Sequence, residues 1–221
     1  MSVLVVTGTD AGVGKTVATA AVAALARARG STVAVVKPAQ TGDASDVDDI
    51  IRMSGVTTTF ELARFPEKLS PAAAARLCGL PPVSLRAAAE RVTELAESNR
   101  LVLVEGSGGL LERYDEDGAT VADLARSLDA QVLVVAGAVN HAALTLEALA
   151  HRGLDLAGVV IGSWPADPGP ADLSLADDLE MLAARPLAGA LREGAGRLCG
   201  EAFLEAARAG LGPTLGGAFR R

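Results

Sequence analysis

Cysteine is nearly missing from this chain. Its 221 residues carry two, Cys78 and Cys199, in no CxxC pair and at no metal-ligand spacing. That excludes a disulfide-stapled scaffold and a zinc-ribbon site, and two free thiols fit a reducing compartment. Aromatic side chains are almost as scarce, with one Trp, one Tyr and four Phe, so the core has to be assembled from Ala, Val and Leu. There is no excess of basic charge: 20 Lys and Arg stand against 27 Asp and Glu, for a net charge of −7. Such a chain is a poor polyanion binder, and no nucleic-acid partner is expected. No apolar run approaches the ~20 residues of a spanning helix, so no membrane span is expected either. The start, Met1-Ser2-Val3-Leu4-Val5-Val6-Thr7, has no basic leader, and its short apolar run passes straight into glycines; it reads as a buried strand, not a signal peptide. A cytoplasmic protein is expected. What is abundant is apolar sequence, 50% of the chain with charges spread throughout, which is the composition of one folded domain.

Short apolar runs alternate with longer helical stretches. Strands are read at residues 3–7, 32–37, 101–105, 131–136, 156–161 and 187–191. Helices are read at residues 14–29, 46–53, 71–77, 84–98, 120–128, about 140–152, 173–184 and 198–209. The strands are continuous β-branched runs, the mark of strands buried on both faces. Alternation with helices predicts a doubly wound, mostly parallel α/β sheet flanked by helices. The Gly-rich stretch 210–217 reads as a loose tail.

The strongest motif is Thr7-Gly8-Thr9-Asp10-Ala11-Gly12-Val13-Gly14-Lys15-Thr16, which leaves an apolar strand and opens an Ala-rich helix. Glycines let successive N–H groups converge on a phosphate, the helix start adds its dipole, Lys15 reaches the β- and γ-oxygens, and the Thr16 hydroxyl suits Mg²⁺. The first glycine, Gly8, stands one residue earlier than in the common motif. The fold expected is that of the P-loop NTPases.

Charged residues at strand exits come next. Lys37 ends the second strand, and Pro38 keeps it extended, so its side chain should emerge where open α/β sheets bind ligands. Glu105 is read as ending the third strand before Gly106-Ser107-Gly108-Gly109, a carboxylate that needs a counter-charge or a metal. Asp43, Asp46, Asp48 and Asp49 suit a helix start, and one of them is also a possible metal ligand; spacing does not say which. Asn140-His141 opens a helix, with Asn140 either its N-cap or a marker of N–H groups that take a carboxylate. His151 sits near a helix C-terminus. Trp164 is either a base-pocket wall or plain packing.

Together, Gly8 to Thr16, Lys37-Pro38-Ala39-Gln40-Thr41-Gly42, Ser70-Pro71, Val104-Glu105-Gly106-Ser107-Gly108-Gly109 and Asn140-His141 resemble the dethiobiotin synthetase family, in its order, from residue 1 to about 162. The resemblance implies ring closure of 7,8-diaminopelargonic acid with CO₂ and ATP, with Mg²⁺, in a homodimer. It implies nucleotide contacts at Gly12, Val13, Gly14, Lys15, Thr16, Val17, Asp46, Glu105, Gly106, Ser107, Gly108, Gly162 and Ser163, and Mg²⁺ ligands Thr16, Asp46 and Glu105. Lys37 and Lys15 would be catalytic. Thr41, Ser70, Pro71 and Asn140 would meet the substrate, Asn140 across the dimer. Three places depart from the family pattern: Ala136-Gly137-Ala138-Val139 is about three residues short, Gly162-Ser163 stands where many members carry an adenine-reading Asn, and Leu191-Arg192-Glu193 replaces a Pro-containing strand exit.

Two other readings compete. One is a switch ATPase of the partitioning or cell-division-positioning type, which carries a signature lysine where this chain has Thr9-Asp10-Ala11, and which leaves Lys37-Pro38 without a role. The other is an inactive nucleotide-binding relative.

Overall fold

A computed structural model describes residues 2–221. In chain order its elements are β1 (Ser2–Gly8), α1 (Lys15–Ala28), β2 (Val33–Lys37), β3 (Gln40–Thr41), α2 (Asp46–Ser54), β4 (Thr58–Glu61), β5 (Arg64–Phe65), α3 (Pro71–Cys78), α4 (Leu85–Ser98), β6 (Leu101–Gly109), α5 (Val121–Ser127), β7 (Gln131–Ala136), α6 (Val139–His151), β8 (Leu156–Trp164), α7 (Pro170–Ala183), β9 (Gly189–Arg192) and α8 (Gly200–Gly210). The main sheet runs β4-β2-β6-β1-β7-β8-β9 with every pairing parallel. The chain winds outward on one side of β1, returns through β6, and leaves on the other side through β7. That reversal opens a crevice beyond the carboxyl ends of β1 and β6.

Strand residues alternate between two buried layers. Val5, Ala34, Val36, Val102, Val104 and Val134 face α3 to α7, whereas Val6, Val33, Val35, Leu103, Leu133 and Val135 face α1, α2 and α8. Neither face is left to solvent, which is why the strands carry no polar alternation. Small side chains on α1, among them Ala18, Ala20, Ala21 and Ala24, bring that helix close to the sheet.

The structure differs from the sequence-based elements in several places, among them β8, which runs on to Trp164, and α7, which starts at Pro170. β6 does not stop at Glu105 but runs on to Gly109, with a register shift opposite Val6 and Gly8. β4 pairs with β2 as an edge strand, and β3 and β5 form a separate two-stranded ladder; none of the three is visible as an apolar run. β9 starts two residues later than expected. The tail is not loose. Leu211 is fully buried, Gly212 N–H donates to Ala188 O (2.7 Å), Phe219 N–H donates to Leu211 O (2.9 Å), and Arg221 pairs with Asp177 (2.7 Å) and Glu180 (3.2 Å). Glycine there serves close packing: a side chain on Gly217 would overlap the Leu211 carbonyl.

Candidate active site

Sheet register sets the chemistry. Val36 of β2 lies opposite Val104 of β6, so Lys37 and Glu105, the next residues, stand side by side. Their parity puts both on the α1 face, with Val35 and Leu103. Lys37 Nζ is 2.9 Å from Glu105 Oε1 and 2.6 Å from Asp46 Oδ2, and it also donates to the Gly106 carbonyl at 3.2 Å. The Thr16 hydroxyl donates to Glu105 Oε1 at 3.0 Å. Glu105 is completely buried, and its Oε2 has no hydrogen-bond partner among the described residues.

The local chain explains how each group arrives. Asp46 comes from the first turn of α2, where Ser45 Oγ accepts the Asp48 N–H; Gln40 Oε1 accepts the Asp46 N–H at 3.2 Å. The acidic cluster therefore divides: Asp46 turns into the cleft, Asp49 pairs with Arg52 outside, and Asp43 and Asp48 are exposed. Gly12 and Gly14 have φ of 73° and 100°, the left-handed turns that let the loop curl over the start of α1. Helix α1 has no side-chain cap and no acid in its first turn, so its leading N–H groups remain available to an anion. Lys15 Nζ donates to the loop's own Asp10 carbonyl at 2.9 Å.

Burial drives the ionisation states, and the neighbours correct it. Burial disfavours the Lys37 ammonium, but Glu105 and Asp46 outweigh that and hold its pKa above the ordinary lysine value. Burial, and then Lys37, lower the pKa of Lys15. Burial would raise Asp46, but the charge and hydrogen bonds of Lys37 hold it below the ordinary carboxylate value.

A cleft of about 580 Å³ opens over these groups, lined by Gly12, Gly14, Lys15, Thr16, Val17, Lys37, Thr41, Asp46, Ser70, Pro71, Ser107 and Gly108. Glu105 and Gly106 lie beneath it. Gly162 stands behind the loop at Val13, where backbone meets backbone: a side chain on Gly162 would overlap the Val13 carbonyl. Ser163 and Asn140 are exposed and line no part of the cleft. Asn140 is not the N-cap of α6; that position is Ala138, and Asn140 is the second helical residue. The start of α6 nonetheless lies beside the phosphate loop, with His141 Nδ1 3.7 Å from Asp10 Oδ2. Trp164 ends β8 and packs against the core, and His151 ends α6. Gln40, which the Lys37 to Gly42 motif contains without giving it a role, also borders the cleft, as do Lys68 and Glu112, which no sequence pattern singled out.

The family model for an AAA domain matches residues 2–193. A relative from Frankia casuarinae, the ATP-dependent dethiobiotin synthetase BioD, is 60% identical, with 100% of this chain and 96% of the relative aligned. The enzyme of the same name from Saccharopolyspora erythraea is 54% identical over the whole of both chains. The chain belongs to the ATP-dependent dethiobiotin synthetase family. Membership makes it a ligase of biotin biosynthesis, and the switch-ATPase reading is not favoured. Solved structures share the fold at low identity. The MinC:MinD cell division complex of Aquifex aeolicus is 15% identical with a TM-score of 0.56, covering 87% of this chain and 82% of that one. The MinD protein of Pyrococcus horikoshii, complexed with Mg-ADP, is 15% identical with a TM-score of 0.54, covering 93% and 86%. The P-loop NTPase-like fold is thus shared with these cell-division proteins. Among the described residues, no helix is long and apolar enough to cross a membrane.

Proposed function

We propose that the protein closes the ureido ring of dethiobiotin in this cleft, from 7,8-diaminopelargonic acid, CO₂ and ATP. The observation that carries the reading is the ion cluster of Lys37 with Asp46 and Glu105, placed beside the phosphate loop and its Lys15. One substrate amine adds to CO₂ and loses a proton, giving a carbamate. A carbamate oxygen attacks the γ-phosphorus and ADP leaves, giving a carbamic-phosphoric anhydride. The second amine attacks the anhydride carbon, a proton is lost, the ring closes and phosphate departs. None of these steps needs a side-chain nucleophile; the protein aligns the reactants and stabilises charge. Lys15 and the free N–H groups of α1 bind the phosphates, with Gly12 to Val17 shaping the loop. Lys37 meets the charge that develops between carbamate and phosphoryl group. Thr41, Ser70 and Pro71 form the substrate wall.

Thr16, Asp46 and Glu105 suit Mg²⁺: all are hard oxygen donors, and the unpartnered Glu105 Oε2 gives a buried charge with coordination to spare. When bound, that ion would neutralise phosphate charge. A second copy of the chain is proposed to cover the groove beside the cleft, where Leu111 and Leu144 are exposed and Ser70 and Glu112 belong to both hollows. Asn140, exposed at the head of α6, would then serve the partner's site.

The deciding assay is phosphate release from Mg·ATP and bicarbonate, with and without the diamine, alongside mass detection of dethiobiotin. Diamine-dependent phosphate with the matching product is expected; release indifferent to the diamine would sink the reading. Lys37→Ala should lower turnover by at least ~100-fold, the scale of one lost transition-state charge contact, while nucleotide still binds. Near-normal turnover in that variant would remove Lys37 from the chemistry.

A further inference from the structure

Lys37 and Glu105 adjoin a glycine-rich stretch of chain. Beyond Glu105, β6 runs through Gly106-Ser107-Gly108-Gly109, where Gly108 takes φ 65° and the register with β1 slips. Glycine adds few steric limits of its own, and between Val6 and Gly8 the ladder to β1 is interrupted. Yet the Gly106 carbonyl is a partner of Lys37 Nζ. A side-chain connection adds to its restraint.

The fixing group is the chain's one tyrosine. Tyr114 is completely buried, and its Oη accepts the Ser107 N–H at 2.7 Å. The Ser107 hydroxyl in turn donates to the Ala39 carbonyl at 2.5 Å, two residues past Lys37. Ser107 therefore ties the exit of β6 to the exit of β2, with both its donors engaged inside the protein. Tyr114 is itself anchored: its N–H donates to Ala119 O (2.8 Å), and the neighbouring Arg113 carbonyl accepts the Ala72 N–H (3.0 Å) at the start of α3, beside Ser70-Pro71. One buried phenol thus links the lysine strand, the glutamate strand and the substrate wall.

We propose that Tyr114 is a positioning residue for the ring-closing reaction, acting through Ser107 to hold the Lys37 ammonium where the carbamate and phosphoryl group meet. The inference rests on the reading of Lys37 given above. Its first consequence is a different duty for Ser107, which braces the site rather than offering the nucleotide a donor.

The test compares Tyr114→Phe, Ser107→Ala, the double variant and a remote core control, Leu179→Val on α7, in the full-length protein. Tyr114→Phe keeps the ring and removes only the hydroxyl, and with it the acceptor for the Ser107 N–H. Its kcat should fall about tenfold, as for a displaced catalytic group, with the nucleotide KM within about twofold, because the phosphate loop hangs from β1. The control should keep its kcat at a comparable loss of melting temperature. The double variant should fall no further than the worse single one, because both act through one connection. An unchanged kcat in Tyr114→Phe, an equal fall in the control, or multiplicative effects in the double variant would each overturn the proposal. Full turnover in Lys37→Ala would instead remove the reading beneath it, a failure visible without touching Tyr114.

Discussion

Gly162 has no room for a side chain. The exit of β8 presses on the phosphate loop so closely that an added Cβ would overlap the Val13 carbonyl, and a Cβ on Gly14 would come to 3.0 Å from Gly162 Cα. The loop here is backed by bare backbone. Gly162→Ala should therefore cost about 1–3 kcal/mol as an overpacked contact and loosen the loop as well. Thermal unfolding and titration with a fluorescent nucleotide would check both effects; an unchanged affinity would mean that the loop keeps its shape without this support. Charge at single positions was legible in the sequence. Lys37 and Glu105 stand out because charge interrupts apolar strands, and the loop glycines stand out by spacing. Gln40, Ser107 and Tyr114 work through hydrogen bonds that only the folded chain creates, so their residue types alone carry no such message.

Elements were readable where a pattern had length to repeat. Helical spacing puts Leu85, Ala88, Ala89, Val92, Leu95 and Ala96 on one face of α4; all are buried except Ala89, which is half-buried. β4 has four half-buried residues at a sheet edge, between the Gly55 cap and Pro66, which is too short for any period to emerge. Its Phe60 packs against the core and is also covered by the Arg91 guanidinium, 4.1 Å from the ring centre. Helix α5 makes a sharper case. Asp123 reaches back to the Thr120 N–H (2.9 Å) and hydroxyl (2.7 Å), closing the helix start. Burial opposes its charge, but the Thr120 hydrogen bonds, together with Arg152 and Arg126, outweigh it and hold its pKa below the ordinary 3.8. A lowered carboxyl pKa contributes stability in full above the unfolded value and loses it as pH falls through the folded one. Asp123→Ala should cost about 1 kcal/mol in urea unfolding at neutral pH, with the gap to wild type closing in acid. A gap that persists below the carboxylate range would assign the loss to packing.

At the scale of the molecule, the two buried layers leave one apolar region uncovered near the chemistry. Leu144 on α6 is 59% exposed and Leu111 is 45% exposed, across the same groove. Neighbouring apolar side chains of this kind mark an interface more often than a solvent surface. Leu144→Glu should shift sedimentation toward the monomer and lower turnover, because the second copy is proposed to complete the substrate end. A variant that stays dimeric would place the interface elsewhere. The sequence could carry the fold through buried strands and the phosphate loop, but not this surface, since an exposed Leu on a helix looks like any other Leu until its neighbours are known.

The ion cluster has a last consequence, at long range. Lys15 and Lys37 balance Asp46 and Glu105, so the floor of the cleft is neutral and the whole net charge of −7 lies outside it. An anion approaching this protein meets an outer field of its own sign and is not drawn in from a distance. Capture is left to short contacts: a curled row of N–H groups and side chains already in balance with one another. Such a floor gives stray phosphate little to hold on to, and favours a guest that arrives with part of its charge already compensated.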